Sequence, residues 1–133
     1  MTDSPIITVQ VPVPLSMVHN AITGSLEGRM SSWLHEANLD EGYTKPDDNL
    51  VWWGHFEVFK QPFKFTVVYD DPELDEGNAQ ARKTIENADL EKALALMAKG
   101  SAGHFADLIN ESDDEITHDV FMQYLVIGEV KYG

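Results

Sequence analysis

The chain contains no cysteine. That excludes a disulfide framework, a thiolate zinc site and a cysteine nucleophile. Cations are also scarce, with nine Lys and Arg against 23 Asp and Glu and a formal net charge of −14. Such a chain repels nucleic-acid backbones and anionic membrane surfaces, because holding phosphates takes clustered cations. Neither direct nucleic-acid binding nor membrane binding is expected. The opening "MTDSPIITVQVPVP" has no basic n-region and no long apolar run, so the expectation is a soluble, cytoplasmic chain without signal peptide or membrane span. The sequence holds no GxSxG, Walker loop, GxGxxG or HExxH. On that ground a non-catalytic protein without cofactor is expected.

What is present describes one domain over residues 1–133. The length suffices to bury a core without metal or disulfide, and 43% hydrophobic content argues against disorder. Ile6 to Val11 alternates as a strand. Leu15, Val18, Ile22, Leu26, Met30, Trp33 and Ala37 recur at three- and four-residue steps, which predicts one long helix over 14–38. Gly24 and Gly28 lie four apart inside it and mark close packing or a kink. "LVWWGHFEVF" and "FKFTVVY" read as a hairpin, and "RKTIE" as a short further strand. Asn87 is a plausible N-cap for a helix carrying Leu90, Ala93, Leu94 and Met97, closed by Lys99-Gly100. A short helix holds Phe105, Leu108 and Ile109. Thr117 reads as the N-cap of a last helix, with Val120, Phe121, Tyr124 and Leu125 inward and Gly128 at its end. The fold class is therefore α+β: a small, mainly antiparallel sheet of three or four strands, packed with a long N-terminal helix and a C-terminal set of three shorter helices.

"HFADLINESDDEITHDVF", residues 104–121, packs two histidines and six carboxylates into eighteen positions. His104, Asp107 and Glu111 fall near one side of a helix, and His118 could complete a metal-ligand set. The spacing matches no known metal motif, so capping and a solvated "ESDDE" connector are the favoured reading. "DDPELDEGN" fails as an EF-hand. Counted from Asp71, the glycine falls one place late at Gly77, and the twelfth position is Arg82. Both acidic stretches, Asp70, Asp71, Glu73, Asp75 and Glu76 in one and Asp113, Asp114 and Glu115 in the other, are candidate partner-binding surfaces. The carboxylates would be presented to a basic surface, with long-range attraction speeding association.

A second candidate is a base-stacking pocket. Trp52 and Trp53 on a strand, with Arg29, Arg82 and Lys83 converging on them, could hold a nucleotide between subunits of a homo-oligomer. The competing reading places one Trp in the core and the other under the long helix or at a dimer contact.

The tail "HFADLINESDDEITHDVFMQYLVIGEVKYG" resembles a recurring C-terminus of small bacteriophage and prophage proteins of unknown function. In those, a helix ending "HFADLL" leads through "ENDDAxTGDVFLQ" to "FGEVVYG". The N-terminal half is similar more loosely, through "LEG" (Leu26-Glu27-Gly28) and an aromatic at Trp33. This chain departs from the pattern with Arg29 in place of a second glycine and His118 in place of glycine. The resemblance implies a phage accessory protein and brings no catalytic residues. With the charge, it leads to the expectation of a non-catalytic inhibitor in the host cytoplasm. Its partner would be a host protein, antiviral defence included, with a basic surface of the kind that holds nucleic acid. A nucleotide-sequestering oligomer and a metal-dependent hydrolase are the alternatives.

Overall fold

The computed structural model describes residues 5–28, 31–71 and 80–132. Three strands form one antiparallel sheet in the order β1 (Leu34–Glu41), β2 (Lys64–Asp70), β3 (Gln80–Glu86). Four helices accompany it: α1 (Leu15–Glu27), α2 (Asn87–Gly100), α3 (Ala102–Ile109) and α4 (Glu115–Val126). The α+β class thus holds. The strand alternation separates two faces. Ala37 and Leu39, Phe65 and Val67, and Ala81, Lys83 and Ile85 share the face toward the helices. Glu36 and Asn38, Lys64, Thr66 and Val68, and Arg82, Thr84 and Glu86 share the other.

The last helix is the centre of the molecule. It packs against α1, α2 and α3, and every residue from Asp119 to Val126 is buried. A helix covered all round needs no amphipathic stripe, which is why "DVFMQYLV" is apolar on several sides at once. Phe121 and Met122 join Ile22, Phe65, Ile85, Met97 and Leu108 among the fully buried side chains.

Three expected elements differ. The helix predicted over 14–38 ends at Glu27. Gly28 caps it with its N–H on the Gly24 carbonyl, and the chain turns into β1. Trp33 and Ala37 are buried as expected, but they are buried outside the helix. Inward residues beyond the turn fell by chance on a spacing that continued the helical period. "LVWWGHFEVF" is not a strand but two short 3-10 turns, Trp52–Gly54 and Phe56–Lys60, packed against α1. Its apolar residues on both sides reflect a segment wedged between elements. Ile6 to Val11 forms no strand, and none of the described strands pairs with it.

Helix starts shift slightly. Glu86, not Asn87, caps α2, in a capping box with Asp89. The Asn87 side chain instead ties the loop before β2, accepting from Phe63 N–H and donating to the Gln61 carbonyl. Asp114, not Thr117, caps α4.

Candidate functional site

The connector between α3 and α4 is built around its own backbone. Asn110 N–H bonds the Ala106 carbonyl, and Ser112 N–H reaches back to the Asp107 carbonyl at 2.8 Å. That wrap requires one left-handed residue, normally glycine. Here it is Glu111, at φ 59°. An L side chain in that conformation costs on the order of 1–2 kcal/mol. Asp114 then starts α4, its carboxylate accepting from Thr117 N–H at 2.9 Å and from the Thr117 hydroxyl at 3.1 Å. These two bonds, the backbone one first, hold the Asp114 carboxyl below the usual aspartate range, with His104 adding a small attraction. Asp107, Glu111, Asp114 and Glu115 are exposed around this ordered turn, and Ile116 beside them is 48% exposed. The arrangement is a fixed display of carboxylates with an apolar residue at its edge.

The other predicted residues are distributed as follows. Asp113 pairs with His118 Nε2 at 2.5 Å. Asp70, at the end of β2, pairs with His35 at 2.8 Å, and its carbonyl accepts from the Tyr132 hydroxyl. Asp71 is half-buried just beyond it. Glu73, Asp75 and Glu76 lie outside the described residues, as does Arg29. His104 stands 3.3 Å from the Thr117 hydroxyl. No group of three or more His, Asp or Glu among the described residues is placed to hold a metal ion, so His104, Asp107 and His118 are not brought together.

The stacking pocket is not assembled from its described members. Arg82 and Lys83 are neighbours on β3 and point to opposite faces of the sheet, so they cannot converge on one ligand. The two tryptophans sit edge to face at 5.6 Å in the first 3-10 turn, rather than on opposite faces of a strand. Trp52 donates its indole N–H to the Ala37 carbonyl and packs on Phe65. The Trp53 carbonyl accepts from His19 Nε2 at 2.7 Å. The Trp52 indole and the Trp53 backbone carbonyl seat the 52–60 segment against β1 and α1.

A buried polar cluster went unread in the sequence. Asp119, only 7% exposed, accepts from the Ser31 hydroxyl at 2.6 Å, from Trp33 Nε1 at 2.8 Å and from Gln123 Nε2 at 2.8 Å. The Ser25 and Ser31 hydroxyls bond each other. Gln123 also accepts from Lys131 and Tyr132 N–H and donates to the Tyr132 carbonyl. Tyr132 stacks on Trp33 at 5.7 Å, nearly parallel. The cluster locks the α1–β1 turn, the centre of α4 and the C-terminal tail together. An Asp and a Gln four apart in an otherwise apolar helical run was the available signal, since buried polar groups must find partners. The part of Asp119, Gln123 and Tyr132 in this chain is architectural.

Comparison with known proteins adds no assignment: no family model, curated protein or solved structure matches the chain. No helix among the described residues is long and apolar enough to cross a membrane.

Proposed function

We propose that this is an acidic binding protein that occupies a basic surface of a host protein, using the α3–α4 connector as its contact. The observation that carries the reading is Glu111. A glutamate holds the left-handed position where glycine would be cheaper, and it stands at the tip of an ordered acidic turn. Strain of that kind persists where the position serves something other than stability. Net charge −14 supports the same reading, since a field of one sign steers a partner of opposite sign and suppresses wrong ones. The resemblance of the tail to phage proteins supports a bacterial host as the source of such a partner. A protein surface that normally holds nucleic acid is the best match by charge.

The connector contributes rate and specificity, with exposed Ile116 giving a small apolar contact inside the charged rim. The test must spare the fold. Asp113 and Asp114 hold His118 and the start of α4, so neutralising them would disturb structure. Asp107→Asn, Glu111→Gln and Glu115→Gln together remove three exposed charges and leave those contacts intact. Capture of host proteins by wild type and by this variant, across a salt series, is the experiment. A basic partner held by wild type and released by salt, and held less by the variant, supports the reading. Equal capture with equal salt release by both removes the connector from the contact.

A further inference from the structure

The N-terminal segment is the least accounted-for part of the fold. "PIITVQVP" places five residues of strand-forming type among the six between Pro5 and Pro12. Ile6 is 87% exposed, Ile7 89%, Val9 73% and Val11 47%. An alternating apolar arm left in water is a strand without a sheet.

A sheet edge suited to it exists. Among the described residues β3 is an outer strand, and its register with β2 runs unbroken from Gln80 to Glu86. The opposite edge, β1, is interrupted twice by register shifts, which is how edges are normally protected. On the helix side of β3 lies a recess of about 110 Å³, lined by Leu96, Tyr124, Val126 and Ile127 with Lys83 and Lys92 at its rim. It would accept alternate side chains of an added strand. Charge favours the same edge. The arm from Pro5 to Pro14 carries no charge, whereas Arg82, Lys83 and Lys92 are three of only nine cations. Two copies at −14 each repel least where these meet.

The arm cannot serve its own β3 from where it lies. Val9 to Val13 face Leu90, Leu94 and Ala98 of α2 across a cavity of about 950 Å³, whereas the recess uses Asp89, Lys92 and Leu96. At 100° per residue these are opposite sides of the helix. The arm would have to leave its seat and cross α2, about 10 Å wide, to reach its own sheet edge. A second copy meets no such obstacle.

We propose that residues 6–11 pair along the β3 edge of a second copy of this chain, and that the exchange of two arms closes a symmetric dimer. Main-chain hydrogen bonds supply the affinity and alternate Ile and Val side chains the register. The interface is isologous, as most homodimers are, and it leaves the acidic connector uninvolved.

Light scattering of the full chain over a range of concentrations is the first test, followed by crosslinking. The chain lacks native cysteine, so introduced thiols report cleanly. The expected results are a dimer for the full chain and a monomer for Ile7→Asp/Val9→Asp, whose exposed positions leave the core untouched. Oxidation of a mixture of Val9→Cys with Arg82→Cys, or with Thr84→Cys, should give a disulfide between chains. A full chain that is monomeric throughout overturns the proposal. So does a dimer indifferent to the arm variant, a mixture that crosslinks to Asn38→Cys on β1 but not to β3, or a Val9→Cys/Thr84→Cys double variant that closes within one chain.

Discussion

Replacing Gln123 by leucine should cost roughly a third of the protein's stability, and the structure says why the cost stops there. The side chain is fully buried and makes four bonds: to Asp119, to the Tyr132 carbonyl, and from Lys131 and Tyr132 N–H. Leucine fits the volume but offers none of them. Were everything else to stay in place, losses of ~1 kcal/mol per bond plus the orphaned backbone groups would exceed ~5 kcal/mol. The tail has an escape. If residues 131–132 detach, water satisfies their backbone, and what is lost is the Tyr132 stack on Trp33, its hydroxyl bond to the Asp70 carbonyl and the Gln123 amide donor to Asp119. At ~1 kcal/mol each, that is about 3 kcal/mol. A domain of this size has ~5–15 kcal/mol in total. Urea denaturation followed by tryptophan fluorescence measures the loss, and hydrogen exchange of the tail amides reports detachment. Combining Gln123→Leu with removal of residues 129–133 should be clearly sub-additive. A Gln123→Leu variant within ~1 kcal/mol of wild type, with its tail amides still protected, would refute the claim that Gln123 holds the tail.

Four further outcomes follow from particular contacts. Glu111→Gly should raise stability by about 0.5–1 kcal/mol by relieving the left-handed position, net of glycine's entropy, while weakening partner capture; thermal melts and capture on one preparation would show the opposite signs. Gly24→Ala should destabilise by about 1–2 kcal/mol despite alanine's helix preference, because a Cβ there would stand 2.9 Å from His118 Cε1 and closer still to Nδ1. His118→Ala in the same chain should recover most of that loss, and denaturation of the single and double variants checks it. Because the Asp114 carboxyl is held below its ordinary range by the Thr117 bonds, its stabilisation is fully present above about pH 4 and is lost as pH falls through the lowered value. Asp114→Asn, which keeps a capping oxygen, should therefore show a shallower fall of stability between pH 5 and pH 2, measured by urea denaturation at each pH.

How far the sequence could be read differs from element to element. That four helices exist was legible, because apolar spacing acts locally, but their limits were not: Glu86 and Asp114 cap where Asn87 and Thr117 were expected, and the first helix stops at Glu27. β3 was legible for the same reason: its length and β-branched centre suffice. β1 was not. "LHEANLDE" has alanine and acids where strands carry β-branched residues, and only pairing with β2 makes it one. Conversely "VWWGHF" is rich in strand-preferring aromatics and became a 3-10 turn, because Trp52 is worth more packed against Phe59 and Phe65. Tertiary burial decided both cases.

The acidic stretches were visible as charge, but their division of labour was not. No local rule distinguishes Asp114, which caps α4, and Asp113, which holds His118, from Glu115, which faces water. Asp119 looked like one more surface acid until three donors converged on it from α1–β1 and α4. Arg82 and Lys83, adjacent in sequence, looked like one basic site. A strand sends them to opposite faces, and that depends on β3 forming at all.

The central claim is that the exposed carboxylates of the α3–α4 connector make the contact with a basic partner. The most direct measurement sets wild type beside Asp107→Asn/Glu111→Gln/Glu115→Gln, both confirmed folded, and follows capture from host lysate as salt is raised. The account predicts a basic protein bound by wild type at low salt, lost as salt rises, and bound distinctly less by the variant, with a flatter salt dependence. The same partner retained by both, at the same salt, would contradict it.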